Sequence, residues 1–282
     1  MTVFHHLTFK NFLVVAILLA TPLLMLAPMP AGAQQMADGL TVQIAPPDLP
    51  VYDQPPLPAD GYIWIPGYWH WSPGQGYYWV PGTWVLPPSA DMLWTPPYWA
   101  WADGVYVFHA GYWGPQVGYY GGVNYGYGYF GSGYQGGRWE GREFVYNRSV
   151  NNFGKLHVAH VYQQKVEAAN RARVSYAGGA RGLKSEPSPE ERSAEHDAHG
   201  PVTAEQTKHI TAAAQSPAFA ASRNQGRPPV AATSHAAQFK GPGVVRAQPA
   251  AVQHAAPRPA APHPAAAPHP ASAAEKGREE KR

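Results

Sequence analysis

The residues of this chain best suited to recognising another molecule are tryptophans at regular positions. All ten tryptophans fall between Trp64 and Trp139. An exposed indole ring stacks on the face of a sugar ring or holds a cation against its own face. The candidates for such a binding face are Trp69, Trp71, Trp84, Trp99, Trp101 and Trp113.

The same tryptophans also fit a purely structural role. A thin sheet that is poor in leucine and isoleucine needs aromatic rings for its core, and ten exposed tryptophans would form a large apolar patch. The sequence leaves both roles open. They are compatible if one face of the sheet is buried and the other binds.

Acidic side chains offer weaker grounds for catalysis. Asp91 and Asp103 occupy equivalent positions in two predicted turns, and two carboxylates roughly 5 to 10 Å apart can hydrolyse a glycosidic bond. Aspartate in a turn more often bonds its own backbone. The chain has no nucleophile elbow, phosphate loop, dinucleotide fingerprint or zinc-binding helix motif. We therefore predict no catalytic residues and no enzymatic activity.

Histidines raise the question of a metal site. They occur at close spacing, on predicted helices and in the C-terminal region: His157, His160, His196, His199, His209, His254, His263 and His269. Neither a cysteine nor a dense acidic cluster supplements them, and a metal site needs several ligands in a fixed geometry. We predict neither a metal ion nor a cofactor.

Bulk properties narrow the range of partners. The formal net charge is +3, far from the concentrated positive field that drives nucleic-acid binding. Beyond the N-terminal region no stretch approaches eighteen apolar residues, so the mature chain is predicted to have no transmembrane span. The remaining candidates are envelope polysaccharide, envelope proteins, or a second copy that pairs through exposed sheet edges.

The tryptophans lie on a repeat that predicts short antiparallel strands. Similar motifs end at Trp69, Trp84, Trp99 and Trp113, at intervals of 15, 15 and 14 residues. Aromatic residues favour strands, and the prolines and glycines between them favour turns. We predict strands over 62–65, 68–71, 77–80 and 83–86, with a reversing turn at 72–76. The repeat can equally be read as a thirty-residue pair of hairpins that occurs twice.

The predicted fold class is mainly β: a small antiparallel sheet of aromatic-rich hairpin repeats, then a few short helices and a long disordered C-terminal tail. The Gly/Tyr tract at 119–137 is either a loose loop or packing material for the sheet. Residues 138–146 alternate like a closing strand, and 156–162 fit a strand or the start of a helix that 163–173 would continue. Capping boxes predict helices near 188–199 and 203–216.

Composition divides the chain into five segments. Residues 1–33 are predicted to be a signal peptide, because the apolar run at 12–26 is too short for a membrane span and a small-residue cleavage site ends at Ala33; a membrane anchor is the alternative. The high proline content of residues 34–60 predicts a linker. Residues 61–146 are predicted to form the repeat β domain with its Gly/Tyr tract, 147–232 a mixed segment, and 233–282 a disordered Ala/Pro/His-rich tail. The expected location is the periplasm, the cell envelope or the exterior.

Two motifs resemble the WXXGXW repeat family of exported bacterial proteins, also written YXWGXW. Residues 64–69 (WIPGYW) and 79–84 (WVPGTW) match in full. Residues 94–99 carry Pro97 in place of the glycine, and the copy that ends at Trp113 keeps only Gly111 and Trp113. The Gly/Tyr tract and residues 144–152 resemble the part that follows the repeats in longer members. The resemblance implies an envelope protein with no catalytic residues to carry over.

Together these features predict an exported, non-enzymatic envelope protein of a Gram-negative-type bacterium. Its role is expected to be structural or adhesive, through an aromatic repeat surface. The alternative is a glycan-binding module for peptidoglycan or exopolysaccharide that uses the repeat tryptophans as stacking platforms.

Overall fold

A computed structural model describes residues 38–166, 168 and 172–249. The predicted signal peptide at 1–33 and residues 250–282 of the predicted tail lie outside the described residues. The described part is mainly β with short helices towards its C-terminal end, which confirms the predicted fold class.

The strands are short and lie mostly within the first two thirds of the chain. They are β1 (Thr41–Val42), β2 (Ile63–Ile65), β3 (Tyr68–Ser72), β4 (Gly76–Val80), β5 (Gly82–Val85), β6 (Leu93–Thr95), β7 (Tyr98–Ala102), β8 (Val105–His109), β9 (Tyr112–Gly114), β10 (Asn124–Gly126), β11 (Tyr129–Phe130), β12 (Gly137–Glu140), β13 (Glu143–Asn147), β14 (Val161–Tyr162), β15 (Tyr176–Ala177), β16 (Ala232–Thr233) and β17 (Val244–Val245). The helices are α1 (Pro189–Ala194), α2 (Ala204–Ala214) and α3 (Ala221–Asn224), with a 3₁₀ turn at Pro217–Phe219.

Two nested hairpin pairs form the centre of the fold. In the first, β3 and β4 make an inner antiparallel hairpin, and β2 pairs with β5 as an outer antiparallel pair. In the second, β7 pairs with β8 and β6 pairs with β9 in the same way. The thirty-residue hairpin pair predicted from the spacing is thus confirmed, and it occurs twice.

Directly opposed aromatic rings hold each nested pair together. The register places these rings across from one another in four pairs, each with a centroid separation of 5.1 to 5.4 Å: Trp64 and Trp84, Trp69 and Trp79, Trp94 and Trp113, and Trp99 and Phe108. Their planes are tilted or edge-to-face, the arrangement that aromatic quadrupoles favour. Each pair joins two motifs, so a single motif has no partner within itself.

The glycine of each full motif is fixed by a ring of the other. A Cβ on Gly67 would lie 2.3 Å from Cζ2 of Trp79, and a Cβ on Gly82 would lie 2.6 Å from Cζ2 of Trp64. No other residue fits so close to an indole edge. In the second nested pair Pro97 stands at the position of Gly67. The facing residue there is Phe108, which is smaller than the indole of Trp79.

Residues 38–60 are not the linker that their proline content predicts. β1 pairs with β8, and Leu49, Tyr52 and Leu57 are buried in the core. Backbone carbonyls of this segment, which we call the N-terminal strap (38–60), accept hydrogen bonds from side chains of the repeats. An extended proline-rich chain lacks many N–H donors but keeps every carbonyl acceptor, so donors on the sheet can hold it in place.

The Gly/Tyr tract packs against the sheet. Tyr120, Val123, Tyr125 and Tyr129 are buried, and β10 and β11 form a small hairpin within the tract. The predicted closing strand at 138–146 is instead the hairpin of β12 and β13, with its turn at 141–142. β14 then pairs in parallel with β13. The described residues of 163–173 contain no helix.

Both predicted helices are present but shorter than expected. Each begins with a complete capping box, at Ser188 for α1 and at Thr203 for α2. The mixed segment ends in β16, which adds to β5 in parallel and pairs with β17. The predicted tail boundary at residue 233 is therefore too early, because 233–249 fold back over the first nested pair.

Candidate functional site

Four of the six candidate binding tryptophans belong to the core. Trp84 and Trp113 are fully buried, Trp69 is 1% exposed and Trp99 is 2% exposed. An indole with both faces covered cannot stack on a sugar ring. The structural role is correct for these four, and their assignment to a binding surface is wrong.

The same four indoles also use their N–H groups internally. Nε1 of Trp69 donates to the backbone oxygen of Asp48, and Nε1 of Trp84 to that of Pro55, both in the N-terminal strap. Nε1 of Trp99 donates to the oxygen of Trp69, whereas Nε1 of Trp113 donates to Oε1 of Gln206 on α2. These bonds satisfy buried donors, attach the N-terminal strap and α2 to the sheet, and join the two nested pairs.

Trp71 and Trp101 occupy equivalent positions at the ends of the inner hairpins. Trp71 is half-buried, and Trp101 is 36% exposed. Trp71 packs edge-to-face on Tyr77, and Trp101 packs in the same way on Tyr106. We call these four residues the hairpin-end cluster. Tyr77 also contacts Trp99 of the second nested pair, at a centroid distance of 5.2 Å, so the two inner hairpins are in direct contact.

The two aspartates considered for acid–base chemistry occupy turns. Asp91 has a φ angle of 65° and Asp103 one of 48°. Asp and Asn adopt this left-handed conformation more readily than most residues, which explains aspartate at both sites. The turn interpretation therefore accounts for both residues.

The histidines within the described residues have separate surroundings. Nε2 of His160 lies 3.2 Å from a carboxylate oxygen of Glu143 at the surface. His199 stacks on Tyr112, and His196 is exposed just after the C-terminal end of α1. Across the described residues, no three His, Asp or Glu side chains are grouped as metal ligands. His254, His263 and His269 lie outside the described residues.

His209 is buried and fully bonded. Its Nε2 lies 2.7 Å from the backbone oxygen of Pro81, and its Nδ1 accepts a 2.7 Å hydrogen bond from the amide of Ala237. Burial lowers the pKa of His209 to about 4. This neutral imidazole links α2 to the first nested pair and to the C-terminal segment.

A cavity between the two nested pairs was not predicted from the sequence. Its volume is about 280 Å³, and its walls include Tyr68 and His70 from the first pair and Trp94, Pro97 and Phe108 from the second. Val202 closes it from the loop before α2. The signal that could have revealed it is the change from glycine and tryptophan, at positions 67 and 79, to Pro97 and Phe108.

Two buried polar atoms on this cavity wall have no partner. Nε2 of His70 and Nε1 of Trp94 make no hydrogen bond within the described residues. His70 is 1% exposed and Trp94 is 2% exposed. An unbonded buried donor is costly, typically by about 1–3 kcal/mol. Nε1 of Trp64, the equivalent of Trp94 in the first nested pair, is also without a partner among the described residues, so this feature belongs to the repeat and is not specific to the cavity.

Among the described residues, no helix has both the length and the apolar character to cross a membrane.

Comparisons with known proteins find a match to the repeats alone. Searches of curated proteins and of solved structures find no match. A comparison with protein families matches residues 60–85 and 90–113, and each range covers one nested hairpin pair. The chain thus carries two copies of the WXXGXW repeat.

Proposed function

We propose that this chain is an exported, non-enzymatic protein of the bacterial envelope whose repeats form the rigid core of a scaffold. The observation that carries the proposal is the burial of the repeat tryptophans on both faces. Rings that face one another and donate hydrogen bonds to neighbouring segments stabilise a shape. The contact surface for other envelope components then lies at the hairpin ends and along uncovered strand edges.

A second candidate function rests on the hairpin-end cluster. Trp101 is the most exposed tryptophan that the structure describes, and Trp71 lies at the equivalent position of the neighbouring hairpin. An accessible indole at the end of each inner hairpin suits stacking on a sugar ring of a glycan chain. The backbone of Gly179 packs against the Trp101 indole, which limits that ring to one accessible side.

Indole fluorescence with iodide quenching tests both functions. For the mature chain we expect a small quenchable fraction, which the double variant Trp71→Phe/Trp101→Phe should lower to the share of the half-buried Trp139. Trp84→Phe is the matched control, because it removes a buried indole and should leave the number of quenchable indoles unchanged. Addition of purified peptidoglycan should have no effect on a scaffold, whereas saturable protection of Trp71 and Trp101 would establish the glycan-binding function instead. General quenching of all indoles would contradict both.

A further inference from the structure

The C-terminal part of the fold carries positive charge without compensating acids. Residues 206–249 contain five lysines and arginines and no aspartate or glutamate. All five are exposed: Lys208, Arg223, Arg227, Lys240 and Arg246. Within the part of the chain that the structure describes, none of the five forms an ion pair. Residues 38–137, in contrast, contain six aspartates and no lysine or arginine. The two signs of charge are thus separated along the chain.

Two of these cations border an open groove of about 510 Å³, the first groove. Lys240 lies in the loop between β16 and β17, and Arg246 follows β17. Ala218 and Phe219 of the 3₁₀ turn and the exposed Pro229 also line it. None of the described residues that line the groove is Asp or Glu. A carboxylate that enters it therefore meets two cations and no like charge.

A second groove, of about 700 Å³, follows along the same two segments. Ala221 lines it, two residues after Phe219 of the first groove. Pro249 lines it as well, three residues after Arg246. Three residues span at most about 10 Å, so the two grooves follow one another closely. We call the two grooves together the basic trough, after the segments 216–230 and 239–249 that form most of it.

The second groove is less positive than the first. Arg173 and Arg227 line it, and so does Asp48 of the N-terminal strap. A further strap carboxylate, Asp53, accepts a 2.8 Å hydrogen bond from Nε2 of Gln248. Among the described lining residues, cations still outnumber carboxylates in both grooves. The attraction for an anion is therefore greatest in the first groove and continues into the second.

The segments that carry these cations are held in place. The amide of Ala237 donates a 2.7 Å hydrogen bond to Nδ1 of His209, and Phe239 packs edge-to-face on Phe219 at a centroid distance of 4.9 Å. The amide of Gln248 donates a 2.7 Å hydrogen bond to the N-terminal strap. A ligand that binds here does not have to order these segments, which would cost affinity.

The spacing of the cations favours a polymer with widely spaced charges. Double-stranded DNA carries one charge per about 1.7 Å of its axis, whereas each groove of the trough offers two cations. A flat lipid surface would reach the rims of a trough and leave its floor uncovered. A polysaccharide with carboxylates on successive or alternate sugars separates its charges more widely. Its apolar ring faces also suit the half-buried Phe239 and Val244 that line the first groove.

We propose that the basic trough binds an acidic polysaccharide whose sugars carry carboxylates. These carboxylates pair with Lys240 and Arg246 in the first groove, and the chain continues past Arg227 in the second. The trough shares no residue with the hairpin-end cluster. Of the proposed function, this inference uses only the location in the envelope, where such polymers occur.

Oligogalacturonates test the proposal with a matched control. They carry one carboxylate on every sugar, and their methyl esters have the same backbone without charge. Isothermal titration of the mature chain at low ionic strength should show saturable binding of the hexamer, and added salt should weaken it. The methyl ester should bind about tenfold more weakly. Equal binding of acid and ester, or no binding of the acid, would overturn the proposal.

Paired substitutions separate the trough from an effect of net charge. Lys240→Gln/Arg246→Gln should weaken binding of the oligogalacturonate about tenfold. Arg142→Gln/Arg192→Gln removes the same charge outside the trough and should change the affinity by less than about twofold. All four side chains are exposed, so both double variants should fold. Equal losses in the two would mean attraction by net charge alone and would refute the site.

Two further comparisons fix the class of partner and the location. An oligoglutamate with the same number of carboxylates should bind more weakly than the oligogalacturonate, because it has no sugar rings to cover the floor of the first groove. Tighter binding of the peptide would make the partner an acidic protein and the assignment wrong. Trp71→Phe/Trp101→Phe should leave the affinity for oligogalacturonate unchanged. A loss there would move the acidic glycan to the hairpin-end cluster and away from the trough.

Discussion

The indole Nε1 of Trp99 donates a 2.8 Å hydrogen bond to the backbone oxygen of Trp69. These residues occupy the same position in the two nested hairpin pairs, thirty residues apart. The bond therefore connects one repeat to the other through a residue that defines the repeat. The two nested pairs are thus connected through residues of the repeat motif itself, and the segments at 38–60, 119–137 and 233–249 pack around them.

Substitution at this joint should be costly. Trp99→Phe removes the donor to Trp69 and leaves a gap in the core, so we expect a loss of about 2–4 kcal/mol in the free energy of unfolding. Urea denaturation measures it. The matched control is Trp101→Phe, two residues along the same strand, which should cost less than about 1 kcal/mol because this indole is partly exposed. Equal losses of stability in the two variants would show that the contact between Trp99 and Trp69 does not contribute more than a partly exposed indole does.

The close contact between Gly67 and Trp79 should tolerate no added methyl group. Gly67→Ala brings a Cβ within 2.3 Å of the indole and 2.8 Å of the Gly82 nitrogen, so we expect a loss of about 3 kcal/mol or more. Gly200→Ala is the control, since its Cβ meets Trp113 at an ordinary 3.5 Å.

A second substitution should relieve that clash in part. Trp79→Phe copies the pairing of Pro97 with Phe108, so the double variant Gly67→Ala/Trp79→Phe should lose less stability than the sum of the single variants. Thermal and urea denaturation of all three decide this. Strict additivity would mean that the indole edge is not what excludes the methyl group.

The N-terminal strap should contribute to stability like a core element. Leu57 is 3% exposed and Leu86 is 47% exposed. Leu57→Ala should therefore cost about 3 kcal/mol, whereas Leu86→Ala should cost less than about 1 kcal/mol. If both variants unfold at the wild-type urea concentration, the segment is the linker that its composition predicts.

Acidification should destabilise the fold through two histidines. Burial lowers the pKa of both His70 and His209 from 6.5 to about 4. The unfolded chain takes up these protons as the pH falls below about 6.5, and the native state does not, so stability is complete above that pH and declines towards pH 4. At about 1.4 kcal/mol per pH unit, each histidine should account for roughly 3 kcal/mol.

Urea denaturation at about pH 7.5 and about pH 4.5 measures this loss. His209→Gln should make the pH dependence of the free energy of unfolding shallower, because it removes one of the two buried histidines. If the free energy of unfolding of His209→Gln varies with pH as steeply as that of the wild type, this histidine takes up its proton over the same pH range in the native and unfolded states.

The hairpins could be predicted because their signals are local. Alternating aromatic residues between Pro66-Gly67 and Pro73-Gly74 define both the strands and their turns, and the observed strands differ from the predicted ones by one or two residues. Likewise, Ser188 and Thr203 begin their helices with the bonds that capping boxes predict. These features depend on residues within a few positions of each other.

The burial of the tryptophans could not be predicted in this way. Alternation shows that Trp69 and Trp71 share a face, but it does not show what covers that face. The covering segments, 38–60, 119–137 and 233–249, have no hydrophobic period, and their contacts come from distant residues. The bond from Trp79 Nε1 to the oxygen of Ala231 spans 152 positions, and a pattern read along the chain carries no trace of it.

The reciprocal fit of Gly67 with Trp79 and of Gly82 with Trp64 also limits how a protein of this kind can gain further repeats. In each motif the glycine leaves space for a tryptophan of the partner motif, and a tryptophan fills the space beside the partner's glycine. A single added motif would therefore have a glycine and a tryptophan without their matching residues. Duplication of two motifs at once preserves every match. We therefore expect proteins built on this repeat to lengthen in steps of about thirty residues. A lineage can exchange the glycine for a bulkier residue only after, or together with, the shrinking of the ring that faces it.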